Sequence, residues 1–311
     1  MPILRVFPRK TKATPEDEYV AIGSPGLFVP EDISEIHISV TFTWDLQEAE
    51  ALAEQWSRYG NVKIGGPATG MRGEAFIPGM YLKHGYTITS RGCHNHCWFC
   101  SVPKREGALR ELPITDGWNV LDDNLLCCSE KHIRAVFDML KRQKQKPEFT
   151  GGIEAKLLKS WHIDLFREVK PKQIFFAYDT PDDLPPLEHA AKLFKEAAYG
   201  NRNLLRCYVL IGYPGDSFDF ATKRLETVKT LGFCLWPCST GTSKAILHTN
   251  GVNSNALGAD RPLFIPRTGT ILCLLKSFIL YIVLERICTF FSVRPEHFAI
   301  SSNVSLPNLN S

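Results

Sequence analysis

The sequence predicts an α/β protein, and three observations carry that prediction. From residue 86 onward, short apolar strands alternate with helical stretches, the pattern of parallel βα units. Ahead of them an amphipathic helix stands between two strands, which makes a small βαβ unit. The hydrophobic fraction of 44% in 311 residues is enough to fill a sizeable core. The expected architecture is a partial (βα) TIM-like barrel preceded by a small βαβ domain.

The βαβ unit is read over 1–80, with a strand at 36–42, a helix at 46–59 and a strand at 61–64. Leu46, Ala49, Leu52, Ala53 and Trp56 recur at helical spacing and give the helix one apolar stripe to lay on a sheet. The loop Gly65-Gly66-Pro67-Ala68-Thr69-Gly70 lacks a full dinucleotide fingerprint, so a turn is the favoured reading over a phosphate cradle. The barrel core is read over 81–234, with strands at 86–89, 118–121, 148–151, 173–178 and 204–211. Helices are expected at 131–141, 155–166, 187–198 and 218–231. In such barrels ligands gather where strands end, so the residues just after each strand are the ones to examine.

After Phe233 the composition changes. Only nine charged residues occur over 235–311, no βα alternation survives, and this stretch reads as an atypical tail without a core of its own. The apolar run 271–284 contains Lys276 and is shorter than the ~20 residues that span a bilayer. One back-translation of 235–242, read one base earlier, encodes a hydrophobic strand followed by a polar turn. A frameshift near Cys234, with the sixth strand of the barrel lost, is therefore expected.

The chemistry concentrates directly after the first barrel strand. Cys93, Cys97 and Cys100 form a CxxxCxxC arrangement that brings three thiolates to one loop. Thiolates are the usual ligands of iron–sulfur clusters, and a 4Fe-4S cluster held by three leaves one iron open. Structural zinc normally takes four ligands, and no second cysteine pair stands at zinc-finger spacing, although His94 or His96 offers a fourth. Cys127 and Cys128 read as buried residues at the start of a helix.

With Phe99 before its last cysteine, the motif resembles the signature of the radical S-adenosylmethionine (SAM) superfamily, and the resemblance covers about 81–233. The βαβ unit is similar to the degenerate cobalamin-binding domain that precedes some members. It has no Asp-x-His-x-x-Gly segment, so packing or partner contact is its expected role. The resemblance implies a 4Fe-4S cluster on Cys93, Cys97 and Cys100, and SAM chelated at the open iron. It further implies reductive cleavage of SAM to a 5'-deoxyadenosyl radical, with electrons from a flavodoxin- or ferredoxin-type donor. Thr150-Gly151-Gly152-Ile153-Glu154 resembles the family's GGE element with one residue inserted, which implies that Gly151, Gly152 and Glu154 receive the methionyl ammonium. Asp122-Asp123-Asn124, after the second strand, is an equal candidate for that ammonium or for the substrate. The segment Tyr178-Asp179-Thr180 would reach ribose hydroxyls, and Ile211-Gly212-Tyr213-Pro214-Gly215 resembles the segment that packs on adenine, with ordinary loop punctuation the alternative at each residue. Catalytic residues beyond these, and the substrate, are not assigned.

A net charge of +3 gives no argument for nucleic acid or for an anionic membrane. Lys141, Arg142, Lys144 and Lys146 suit a helix C-terminus, and no nucleic-acid or membrane partner is expected. Ten cysteines are too sparse for a disulfide scaffold, and residues 1–10 lack a signal-peptide apolar run, so a cytoplasmic setting is expected. The alternative to an enzyme is a truncated, catalytically inactive protein that binds a cluster or a partner.

Overall fold

In the computed structural model, residues 2–73, 75–199, 204–213 and 215–239 are described. The first part contains β1 (Ile3–Phe7), β2 (Val20–Ile22), β3 (Glu35–Ser39), α1 (Leu46–Trp56) and β4 (Val62–Gly65). The four strands form a wholly parallel sheet in the order β2-β1-β3-β4. Leu4 and Val6 on β1, with Ile36 and Ile38 on β3, alternate inward. Ala49, Leu52 and Trp56 of α1 close that core as the apolar stripe predicts. The sequence reading missed β1 and β2, because a five-residue run flanked by Pro2 and Pro8 carries little periodicity by itself. The glycine-rich loop behaves as a turn: Gly66 has φ +107°, and a Cβ there would lie 2.5 Å from the Val40 carbonyl oxygen.

The second part runs β5 (Tyr86–Thr87), β6 (Ser90–Arg91), α2 (Val102–Arg105), β7 (Arg110–Glu111), β8 (Asn119–Val120), α3 (Glu130–Lys141), β9 (Glu148–Phe149) and α4 (Ser160–Val169). It continues with β10 (Gln173–Tyr178), α5 (Leu184–Glu196), β11 (Leu205–Ile211), α6 (Phe218–Thr230) and β12 (Cys234–Ser239). Six of these strands make one parallel sheet in the order β12-β11-β10-β9-β8-β5. β6 and β7 form a separate antiparallel pair. The α/β class and the strand–helix alternation are as the sequence predicts.

The core lies between this sheet and its helices. Ile133, Val136, Phe137 and Leu140 sit at helical spacing on α3 and are all buried. Phe137, Phe149 and Phe166 pack with ring centroids 5.0–5.5 Å apart. Ser129 caps α3 by accepting from the His132 N–H at 3.2 Å, a contact worth about 1 kcal/mol. The predicted helix at 155–166 is displaced to Ser160–Val169, since a short 3-10 turn at Ala155–Leu157 comes first.

The expected loss of the sixth strand is corrected. Cys234–Ser239 pairs in parallel with β11, placing Leu235 beside Cys207 and Trp236 beside Tyr208. The change in composition hid it, yet an edge strand needs few apolar residues and tolerates Pro237, whose missing N–H would break an interior ladder. The rest of the predicted tail, and the apolar run 271–284, lie outside the described residues. No helix among those described is long and apolar enough to cross a membrane.

Candidate metal centre

The segment that carries Cys93, Cys97 and Cys100 leaves the C-terminal end of β5 and crosses the ends of the neighbouring parallel strands. Its start is fixed from below. Asp122, buried at the end of β8, accepts from the Thr89 N–H and hydroxyl at 2.6 Å each and from the Ser90 hydroxyl at 2.8 Å. Burial raises the Asp122 pKa against those three hydrogen bonds. Asp123 accepts from the Gly92 N–H at 2.8 Å and faces Arg105 at 3.6 Å. Burial raises its pKa too. Both carboxylates therefore act on the loop itself. The hydrogen bonds that Asp122 accepts among the described residues come from Thr89 and Ser90, so it braces the start of the loop.

The glycines explain how the strand ends come so close. A Cβ on Gly151 would lie 2.2 Å from the Asp122 carbonyl oxygen, and one on Gly152 would lie 2.2 Å from that of Asp123. Only a residue without a side chain lets the two backbones touch. Gly151 and Gly152 thus serve this approach, and Glu154 follows at the mouth of the site.

Around the first cysteine the groups converge. The Asn95 N–H and the Asn124 side-chain amide both donate to the Cys93 sulfur at 3.4 Å. A hydrogen bond from the Cys127 thiol is the largest cause pulling Cys93 down to about 5, while the same contact and burial push Cys127 up. Of the two sulfurs, Cys93 is the one whose thiolate the contact favours. Burial raises Cys97 and Cys100, and each is raised further by the neighbouring cysteine thiolates, which places the three sulfurs within electrostatic reach of one another. Asp179 and Asp183 raise Cys97 as well, and burial with Asp183 pushes Asp179 up to about 6.

A second constellation adjoins the first. The Cys127 sulfur lies 2.8 Å from His94 Nδ1 and 3.9 Å from Glu154 Oε2. His94 Nε2 stands 3.5 Å from the same oxygen, which also accepts from Asn124 at 2.7 Å. Thiol, imidazole and carboxylate lie close enough together to share one ion. Sequence reasoning placed Asn124 with Asp122 and Asp123 at the strand end but read Cys127 as a buried helix-entry residue. The strand-end rule, carried three residues further, reaches it.

The remaining predicted residues divide. Phe99 meets Trp98 edge-on at 5.3 Å, and Trp98 in turn meets Tyr213 at 5.7 Å. The Tyr178 side chain is buried in the core on the helix side of the sheet, because even-numbered residues of β10 face that way. Of the segment Tyr178-Asp179-Thr180, Asp179 is the residue near Cys97. Gly212 has φ +73° and donates its N–H to Asp216 at 2.9 Å, within a turn held by Arg224. No protein-family model matches the chain, and no curated protein matches it.

Proposed function

We propose that the chain is a radical SAM enzyme in which Cys93, Cys97 and Cys100 hold a 4Fe-4S cluster. The observation that supports this reading is that three cysteines share one loop, braced by Asp122 and Asp123, at the C-terminal end of a parallel strand, with Cys93 close enough to bear on both Cys97 and Cys100. The donor set fits the group: soft sulfur ligands, one of them thiolate-prone, with no disulfide to consume them. When bound, the cluster and SAM supply a one-electron cleavage of the sulfur–carbon bond, giving methionine and a 5'-deoxyadenosyl radical.

The chain's own residues contribute placement. Asp122 and Asp123 fix the loop, Gly151 and Gly152 let the next strand end approach, and Glu154 presents a carboxylate to a cationic group at the cluster's edge. Trp98, Phe99 and Tyr213 form an aromatic cluster beside the cysteines. A flavodoxin- or ferredoxin-type donor and a cytoplasmic setting belong to the same reading.

Anaerobic reconstitution tests the function. Brown protein with about four irons and matching sulfide is expected, releasing 5'-deoxyadenosine when SAM and dithionite are added. Cys97→Ala should lose cluster and cleavage together. Cluster-loaded protein that releases no 5'-deoxyadenosine identifies the inactive cluster-binding alternative instead. The spacing of His94, Cys127 and Glu154 favours a second reading, a single zinc ion. Colourless protein containing zinc and no sulfide would establish it.

A further inference from the structure

A cavity of about 780 Å³ lies against the face of the six-stranded sheet opposite the helices. Its other wall comes from the chain after β1 and β3. The volume is in the range of small-molecule sites. Leu121 and Thr150 line it, each one residue before Asp122 and Gly151.

Its charge is unbalanced. Five cationic side chains and two carboxylates line it. Both carboxylates are already paired, Asp45 with Arg9 and Glu148 with Lys172 and Gln173. Lys12, Lys83 and Arg206 have no carboxylate within ion-pair distance among the described residues. Arg206 is the telling one. It projects from β11 among aromatic rings, its guanidinium carbon 5.7 Å from the Phe175 ring centroid and 5.9 Å from that of Trp236. Its buried Nε has no hydrogen-bond partner. A guanidinium keeps its charge at any physiological pH, and a partly buried one without an acceptor is a standing cost that an anion removes. Phe175 stacks on Tyr208 at 4.7 Å and 23°, and meets Trp236 edge-on at 5.9 Å. Flat apolar faces thus stand beside the free donor.

We infer that this cavity binds an aromatic anion, a planar ring system carrying a carboxylate or phosphate, with the anionic group on Arg206 and the ring against Phe175 and Trp236. As a substrate class for the proposed enzyme the inference rests on that reading, but the binding does not depend on a cluster.

Calorimetric titration of the full chain, with and without reconstituted cluster, reads the binding. The probes are 2-naphthoate, 2-naphthyl phosphate, neutral 2-naphthamide and cyclohexanecarboxylate. One naphthoate or naphthyl phosphate per chain should bind, and whichever is tighter distinguishes carboxylate from phosphate. The amide should bind about tenfold or more weakly, as loss of a charge-assisted hydrogen bond requires. Cyclohexanecarboxylate should also be weaker, having no ring face. Arg206→Gln should abolish the preference for the anion over the amide, and Trp236→Leu the preference for the aromatic ring. Equal binding of naphthoate and naphthamide by the unaltered chain, or no saturable binding of either anion, overturns the inference whatever the variants do. Absence of iron with anion binding intact would sink the enzymatic reading and leave this site standing.

Discussion

His162 makes stability depend on pH in a direction the structure fixes. The residue is 2% exposed at the start of α4, its ring 3.7 Å from that of Trp161. Its Nδ1 accepts the Lys159 backbone N–H at 2.9 Å, which only an unprotonated nitrogen can do. Burial, with Lys159 nearby, lowers its pKa from 6.5 to about 4. The folded chain therefore keeps the ring neutral while the unfolded chain takes up a proton, and stability falls as pH drops through that interval. At about 1.4 kcal/mol for each pH unit, the interval caps the contribution at about 3 kcal/mol, of which about 2 kcal/mol is lost between pH 7 and pH 5. Urea denaturation of the unaltered chain and of His162→Gln at both pH values measures it. Glutamine has an acceptor and no titration in this range, so the variant should lose about 2 kcal/mol less than the parent on acidification. Equal losses in the two proteins would refute the argument, whatever the absolute stabilities.

Three further outcomes follow from contacts described above. Asp122→Ala leaves the Thr89 N–H, Thr89 hydroxyl and Ser90 hydroxyl without their acceptor; a loss of about 3 kcal/mol in urea denaturation is expected, with reduced iron uptake on reconstitution. Gly151→Ala drives a methyl into the Asp122 carbonyl, so iron loading should fall even where circular dichroism shows a folded chain. Lys170 ends α4 with φ +48°, a conformation that costs a non-glycine residue about 1 kcal/mol, so Lys170→Gly should raise the thermal midpoint or leave it unchanged, and a fall of several degrees would refute the strain.

The sequence reveals the second sheet better than the first, for a physical reason. β10 and β11 are six or seven residues of near-continuous apolar chain, which is how a strand buried on both sides reads, and β10 was found with its exact ends. β5, β8 and β9 are only two residues long in the ladder, and their positions show because turns and amphipathic helices bracket them. β2 has just three residues, Val20–Ile22, and becomes a strand only because β1 offers it a partner. Of the site, the three cysteines are legible since their spacing is local. The convergence of His94, Cys127, Asn124 and Glu154 joins three separate loops, and no spacing along the chain encodes it. The strand-end rule locates the segment Tyr178-Asp179-Thr180 but ignores which face each side chain takes: Tyr178 turns into the core and Asp179 stands near Cys97.

The carboxylate of Glu106 carries a last consequence. It is wholly enclosed and meets Arg105 at 3.0 Å, Arg110 at 3.1 Å and Arg91 at 3.5 Å, and it also accepts the Gly73 N–H at 3.2 Å. Arg91 precedes the three cysteines and Arg105 follows them, so one acidic group clasps both ends of the thiol-bearing loop without any covalent link. Chain entropy that a metal would otherwise have to remove has already been surrendered on folding. On the proposed reading, a group captured by the sulfurs would arrive at a hoop closed in advance, and opening that clasp would weaken capture without touching a single ligand.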